Sequence, residues 1–276
     1  MLRISNIRKT FSQNTVNEHT ALDDLSLYLQ KGDFITVIGS NGAGKSTLMN
    51  AISGSFWVNK GNITLDGKDI TYMKEHKRAK SIGRLFQDPM KGTAPDLTIE
   101  ENLALSYSGS RRRNFNLALK KQDRDFFKTA LEEFDMGLEN RLKNKMGLLS
   151  GGQRQAVTLL MSSIANPKLL LLDEHTAALD PAAAKKVLNI TRNTVKKNNL
   201  TTLMITHNIK AALSIGNRTI MMNAGKIILD ISGEERDNMT VSELVKMYSI
   251  KSNKELDNDR MLLSQDNSAS PMKIII

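Results

Sequence analysis

The stretch Gly39-Ser40-Asn41-Gly42-Ala43-Gly44-Lys45-Ser46-Thr47 constrains this chain more than any other. It fits the pattern G-x-x-x-x-G-K-S, and its flanks suit that pattern: Phe34-Ile35-Thr36-Val37-Ile38 reads as a buried strand, and a helix follows. A glycine-rich turn at a helix N-terminus presents convergent backbone N–H groups, and the helix dipole adds positive potential. Such a turn accepts phosphate. Lys45 is placed to neutralise β- and γ-phosphates, the Ser46 hydroxyl to ligate Mg2+, and Thr47 to donate to a phosphate oxygen. A merely structural turn would not require Lys45 and Ser46 in register.

A second stretch supplies acids. Leu169-Leu170-Leu171-Leu172-Asp173-Glu174 reads as a buried strand delivering two carboxylates at its carboxyl end, the edge where open parallel sheets bind ligands. Asp173 suits Mg2+ held through its water shell, and Glu174 suits polarising the attacking water or taking its proton. Taken alone, these residues fit a strand meeting a solvated turn equally well. The phosphate loop tips the balance.

The rest of the chain alternates strand and helix signals. Residues 1–39 alternate in the β manner, and Asp66-Gly67 between Asn62–Leu65 and Lys68–Ile70 predicts a type I′ hairpin. From about Asp88 to Asn166 the texture is helical: Thr98 and Glu101 form a capping box, and a second helix starts near Ser150 and stops before Pro167. A strand (Lys168–Leu172), a helix opened by Asp180-Pro181, a strand (Thr201–Ile205) and a hairpin (Arg218–Met222, Lys226–Leu229) follow. Thr240 and Glu243 cap a last helix. The expected fold class is α/β, a P-loop NTPase core with an antiparallel β subdomain and a helical subdomain at about 88–166. The folded domain is expected over 1–250, and the polar stretch 251–276 reads as a mobile tail.

Composition excludes several classes. The 276 residues contain no cysteine and only four histidines, which excludes disulfide scaffolds, Cys-ligated zinc, iron–sulfur clusters and thiol nucleophiles. No apolar run reaches the length of a spanning helix, and Met1–Asn6 lacks a signal-peptide core, so a cytoplasmic chain is expected. The net charge of +10 is dispersed without interleaved aromatics, which favours solvated surface over nucleic-acid binding. Arg111-Arg112-Arg113 reads as a solvated loop, with lipid headgroups as the alternative contact.

Leu149-Ser150-Gly151-Gly152-Gln153 lies at a helix start and forms an anion site of its own. With this motif the chain resembles the ATP-binding cassette ATPases, the nucleotide-binding subunits of ABC transporters, over about residues 1 to 248. The resemblance implies ATP and Mg2+ as ligands. It makes Ser150, Gly151, Gly152 and Gln153 the signature that binds the γ-phosphate of ATP held by the opposite subunit. It also makes Gln87 the link from Mg2+ and the attacking water to the membrane partner, and Ala178-Leu179-Asp180 the segment crossing the dimer interface. His207 becomes the switch that contacts the γ-phosphate. Phe11 stands where an aromatic stacks on adenine, with Tyr28 as a substitute, although Phe11 could instead pack in the β core. Separately each has a bland reading, a structural histidine, a turn, a cap or a core ring; their joint order favours the family. Two positions depart from the pattern: His175 where proline is common, and Ala156 where a second arginine is frequent.

One phosphate loop and one signature per chain imply that two chains sandwich two ATP molecules. A second copy is the simplest partner, with a homologous ATPase as the alternative. Transmembrane permease subunits would be separate polypeptides docking near Gln87 and the helical region, which puts the chain on the inner face of the cell membrane. Gln87 to Leu105 resembles ATPases encoded with importer-type permeases and substrate-binding lipoproteins, some linked to aromatic amino acids. Import of a small solute, an amino acid among the candidates, with an extracellular substrate-binding protein, is the expectation. A soluble ABC ATPase of translation or DNA repair and an exporter subunit are the alternatives.

Overall fold

The structure, a computed structural model, describes residues 1–108 and 119–252. Strands β1 (Leu2–Phe11), β2 (His19–Leu29) and β3 (Phe34–Ile38) precede α1 (Lys45–Ser53). Then come β4 (Lys60–Leu65), β5 (Lys68–Asp69), α2 (Glu75–Arg78) and β6 (Ile82–Leu85). Helices α3 (Ile99–Ser108), α4 (Lys121–Glu132) and α5 (Gly151–Ser163) follow, with a 3-10 turn at Met146–Leu148. The last part runs β7 (Leu169–Asp173), α6 (Pro181–Lys197), β8 (Thr201–Ile205), α7 (Ile209–Ser214), β9 (Arg218–Asn223), β10 (Lys226–Ser232), α8 (Gly233–Asp237) and α9 (Val241–Ser252).

Strand alternation explains the layering. Side chains of successive residues in a strand point to opposite faces, so the four leucines of β7, all fully buried, demand cover on both sides. Leu169 and Leu171 pack with α1 and the strands β1, β2 and β4. Leu170 and Leu172 pack with residues of α3, α4, α5 and α6. β7 sits in a six-stranded sheet of order β10-β9-β3-β8-β7-β6, parallel except for the β9–β10 pair. A separate antiparallel sheet has the order β2-β1-β4-β5. Ile38, Ile209, Met221, Leu229, Leu244 and Tyr248 form a third apolar cluster under α9.

Local signals translate directly into these elements. Asp66 and Gly67 both take positive φ (51° and 75°), as a type I′ turn requires. The Glu101 carboxylate accepts from the Thr98 N–H at 2.7 Å, and the Thr98 hydroxyl accepts from the Glu101 N–H at 3.3 Å. Asp180 accepts from the Ala183 N–H at 2.9 Å, and Glu243 accepts from the Thr240 N–H at 2.8 Å. Such caps each stabilise a helix by about 1 kcal/mol.

Three expectations shift. β7 runs one residue later than the expected strand and carries Asp173 inside the ladder, opposite Ile205 of β8. Lys251 and Ser252, expected in the tail, end α9. β6 was not foreseen: its residues Ile82-Gly83-Arg84-Leu85 show no clean alternation, and pairing with β7 defines it. Gly83 is required there, because a Cβ would meet the Ser162 carbonyl oxygen at 2.3 Å. The expectations for Arg111-Arg112-Arg113 and for the tail beyond Ser252 concern residues 109–118 and 253–276, outside the described residues. Among the described residues no helix is long and apolar enough to cross a membrane.

Candidate functional site

β3 ends on Ile38, and residues 39–44 turn the chain into α1. The turn depends on glycine at two positions. Gly39 (φ 150°) lies where a Cβ would meet the Met222 carbonyl oxygen at 2.3 Å, and Gly44 (φ 98°) where it would meet the Ala21 carbonyl oxygen at 2.5 Å. Gly225, in the β9–β10 turn, donates its N–H to the Ala43 carbonyl at 3.0 Å. The loop is thus clasped between β2 and the β9–β10 hairpin. Asn41, Gly42 and Ser46 stay exposed on its outer side, with Thr47 half-buried behind them.

Lys45 folds back over this loop. The residue is 6 % exposed, and its ammonium donates to the carbonyls of Gly39 (2.8 Å) and Ser40 (2.9 Å). Burial lowers its pKa, while the charges of Glu174 and Asp173 oppose that shift. Asp173 shows the converse. Burial raises its pKa, with Arg84 the main opposing charge. The loop and the two acids therefore form one charged group at the carboxyl ends of β3 and β7, where the sequence expected them to meet.

Glu174 leaves the ladder with φ 46°, an unusual conformation for a residue with a side chain, and its N–H donates to the Ile205 carbonyl at 3.1 Å. Its Oε1 lies 2.5 Å from Nε2 of His207, just beyond β8. The His207 Nδ1 is buried and has no hydrogen-bond partner among the described residues. Gln87, two residues past β6, lines a cavity of about 630 Å³ with Asp173, Arg84, Asn50 and Ala178. The structure thus joins His207 to Glu174 and Gln87 to Asp173, and Lys45 of the phosphate loop feels the charge of both acids.

Arg84 was missed by the sequence reading. Its guanidinium donates to Asn50 Oδ1 (2.6 Å) and Ser53 Oγ (2.9 Å), approaches Asp173 Oδ2 at 3.8 Å and stacks over Phe86. It ties α1, β7 and the approach to Gln87 together. The only available signal was a basic residue three positions before Gln87, in a segment with no recognisable strand pattern.

Ser150 caps α5, accepting from the Gln153 N–H, while Gln153 accepts from the Ser150 N–H, both at 3.3 Å. Gly151 and Gly152 lie close to Leu179 and Ala183 at the start of α6. No hydrogen bond among the described residues joins Ser150–Gln153 to the loop of the same chain. Phe11, at the end of β1, is 39 % exposed, meets Phe56 edge-on at 5.4 Å and has Lys9 above its ring. It is paired with His19 in β2, two residues from the Ala21 carbonyl that touches the loop. Tyr28 lies at the far end of β2 against Arg3, so Phe11 is the better placed of the two aromatics.

Among the described residues no three His, Asp or Glu side chains gather as a metal cluster. The Ser46 hydroxyl, Asp173 carboxylate and Gln87 amide are hard oxygen donors, the chemistry that suits Mg2+. Partial burial raises the pKa of Asp173, and a neighbouring cation would offset that cost.

His175, the departure from proline, is fully buried and lies 3.0 Å from the Thr191 hydroxyl, which itself donates to the Val187 carbonyl. Thr191 therefore accepts from the Nε2–H of a neutral ring. Burial pushes its pKa down to about 4. Protonation is thus easier in the unfolded chain, and this contribution to stability, complete above pH 6.5, is lost as pH falls from 6.5 through about 4. At pH 5 the loss is about 2 kcal/mol, or roughly 4–8 °C in Tm. Urea or thermal unfolding at pH 7 and pH 5 should show His175→Gln losing less stability over that interval than the parent. Equal losses would refute the assignment.

Comparison with known proteins agrees with this geometry. The ABC transporter family model matches residues 22–177. A tyrosine transport ATP-binding protein of Clostridioides difficile (strain R20291) is 43 % identical over 248 residues, covering 90 % of this chain and 98 % of that protein. The methionine import ATP-binding protein MetN of Corynebacterium efficiens is 36 % identical over 227 residues, 80 % of this chain and 60 % of that protein. The solved ADP conformation of an ATP-binding cassette from an ABC transporter superposes with a TM-score of 0.72 at 30 % identity, over 90 % of this chain and 98 % of that one. A cassette solved as a post-hydrolysis dimer with ADP and phosphate gives 0.72 at 26 % identity, over 84 % and 98 %. The strand–loop–helix built around Gly39–Thr47, facing Asp173 and Glu174, is accordingly that of an ATP-binding, ATP-hydrolysing subunit, and this chain belongs to the ABC transporter family.

Proposed function

We propose that this chain drives import of a small solute, an amino acid by preference, through a separate membrane permease, working as a dimer on the inner face of the membrane. Likeness over nearly the whole length of a tyrosine transport ATP-binding protein carries this reading. Methionine and xylose/arabinose import ATP-binding proteins among the other relatives support import as the direction. The ATPase domain is read as 1–250, with the helical subdomain at about 88–166 and a tail at 251–276.

The residues suggest the following division of labour. Backbone N–H groups of Ser40 to Lys45, with the Lys45 ammonium and the Thr47 hydroxyl, hold the β- and γ-phosphates, and Phe11 stacks on the adenine. Ser46, Gln87 and Asp173 would hold Mg2+, which neutralises phosphate charge when bound. Glu174 takes the proton of the attacking water, and His207, bonded to that carboxylate at 2.5 Å, turns to the γ-phosphate. Ser150 and Gly151 are exposed at the α5 N-terminus, with Gln153 half-buried and Gly152 buried beside them, and this group suits the γ-phosphate on a second copy. ATP binds the closed dimer better than the open one, and that difference supplies the population shift passed to the permease.

Purification of the tagged chain from detergent-solubilised native membranes tests this reading. A multispanning permease, with a substrate-binding lipoprotein beside it, is the expected companion. Binding of aromatic amino acids to that lipoprotein would then fix the substrate class. Ribosomal or DNA-repair proteins in place of a permease would overturn the transport reading.

A further inference from the structure

The last helix reaches the phosphate loop. Tyr248 of α9 is 1 % exposed, and its hydroxyl donates to the Ser40 hydroxyl at 3.0 Å across 208 positions of sequence. Ser40 is a junction of the loop: its carbonyl accepts both the Lys45 ammonium (2.9 Å) and the Ala43 N–H (3.2 Å). The Tyr248 ring packs with Leu244 of the same helix in the cluster that contains Ile38, the last residue of β3, and Ile209, two residues past His207. One helix therefore rests on the strand that leads into the loop and on the element that follows the switch histidine.

We propose that Tyr248 is a positioning residue that holds Ser40, and with it the phosphate loop, in the form that binds nucleotide, so that docking of α9 and nucleotide binding are linked. This rests on the phosphate reading of Gly39–Thr47. A loop with three glycines at positive φ (Gly39, Gly42 and Gly44) has many alternative backbone conformations. A side chain anchored in an apolar cluster and bonded to the second residue of that loop removes some of them before the ligand arrives. Apparent affinity falls in proportion to the fraction of chains in the competent conformation. By reciprocity, nucleotide must tighten α9 by the same factor.

ADP is the probe, because its β-phosphate fills the loop without offering a γ-phosphate to a partner's signature. Tyr248→Phe keeps the ring in its cluster and removes only the hydroxyl. Isothermal titration should show an ADP Kd about 5-fold weaker than the parent, equivalent to about 1 kcal/mol. In a double-mutant cycle with Ser40→Ala, the second substitution should add little to the first. A lowered Tm with an unchanged Kd, or effects that simply add, would make Tyr248 structural only and overturn the proposal. Hydrogen exchange of the parent chain gives a reading independent of that variant's folding. ADP should slow exchange of α9 amides about 5-fold, and an unchanged rate would also overturn it. Lys45→Ala separates the two readings: retained ADP affinity there would refute the phosphate assignment itself, whereas lost affinity there with parental affinity in Tyr248→Phe would refute only the role of Tyr248.

Discussion

Lys45→Ala is expected to raise the ATP dissociation constant by about 100-fold and to abolish hydrolysis, because charge-assisted hydrogen bonds to phosphate contribute up to about 3 kcal/mol. The ammonium is already gathered into the site: it is buried, held by the Gly39 and Ser40 carbonyls, and close enough to Asp173 and Glu174 to feel both charges. It therefore meets the phosphates with little further ordering. Alanine leaves the backbone N–H groups in place but removes the cationic side chain that bonds to the Gly39 and Ser40 carbonyls of the loop. Titration calorimetry and phosphate release measure the effect, and thermal unfolding without nucleotide checks that the fold survives. Full ATPase activity in that variant would sink the assignment of the loop.

Glu174→Gln should slow hydrolysis by about 10²–10⁴-fold while leaving ATP binding intact, the usual range for loss of a general base. Glutamine keeps an acceptor oxygen for the His207 Nε2–H, so the 2.5 Å contact of the parent has a neutral counterpart and the geometry persists. It cannot take the proton from water. ATP bound by such a chain stays uncleaved, and a dimer closed by it does not reopen. Light scattering after size exclusion, at saturating ATP and Mg2+, should then report a stable dimer for Glu174→Gln and a transient one for the parent. A monomeric variant under those conditions would contradict the sandwich arrangement, and parental hydrolysis would remove Glu174 from the chemistry.

These two predictions concern residues that the sequence alone picked out, and the reason is that both sit in short patterns. The phosphate loop is a turn whose donors lie within nine residues. The leucines of β7 announce a strand buried on both faces, and the acids at its end follow by contiguity. Caps at Thr98, Ser150, Asp180 and Thr240 bind three residues ahead, so their geometry is fixed wherever the helix packs. The type I′ turn at Asp66-Gly67 is equally local. Gln87 and His207 were less self-evident, since each is a single polar residue after a strand, and only the order of the motifs marked them.

Other features depend on which surfaces meet. β6 has a glycine and a half-buried arginine in four residues, and it becomes a strand because β7 offers a parallel edge and Gly83 fits beneath the Ser162 carbonyl. Arg84 is tolerated there because Asn50 and Ser53 of α1 accept from its terminal nitrogens and the Asp173 carboxylate of β7 lies 3.8 Å from its charge. The neutral, low-pKa state of His175 follows from complete burial against α6. The bond from Tyr248 to Ser40 closes a gap of 208 positions. By itself the sequence determined the chemistry of the loop, the sites of the caps and turns, and the two-faced burial of the central strands, because each arises from interactions within a few residues. Only the tertiary structure decided how strongly a buried group is desolvated and which distant donor meets which acceptor, because burial and long-range pairing belong to surfaces assembled from the whole chain.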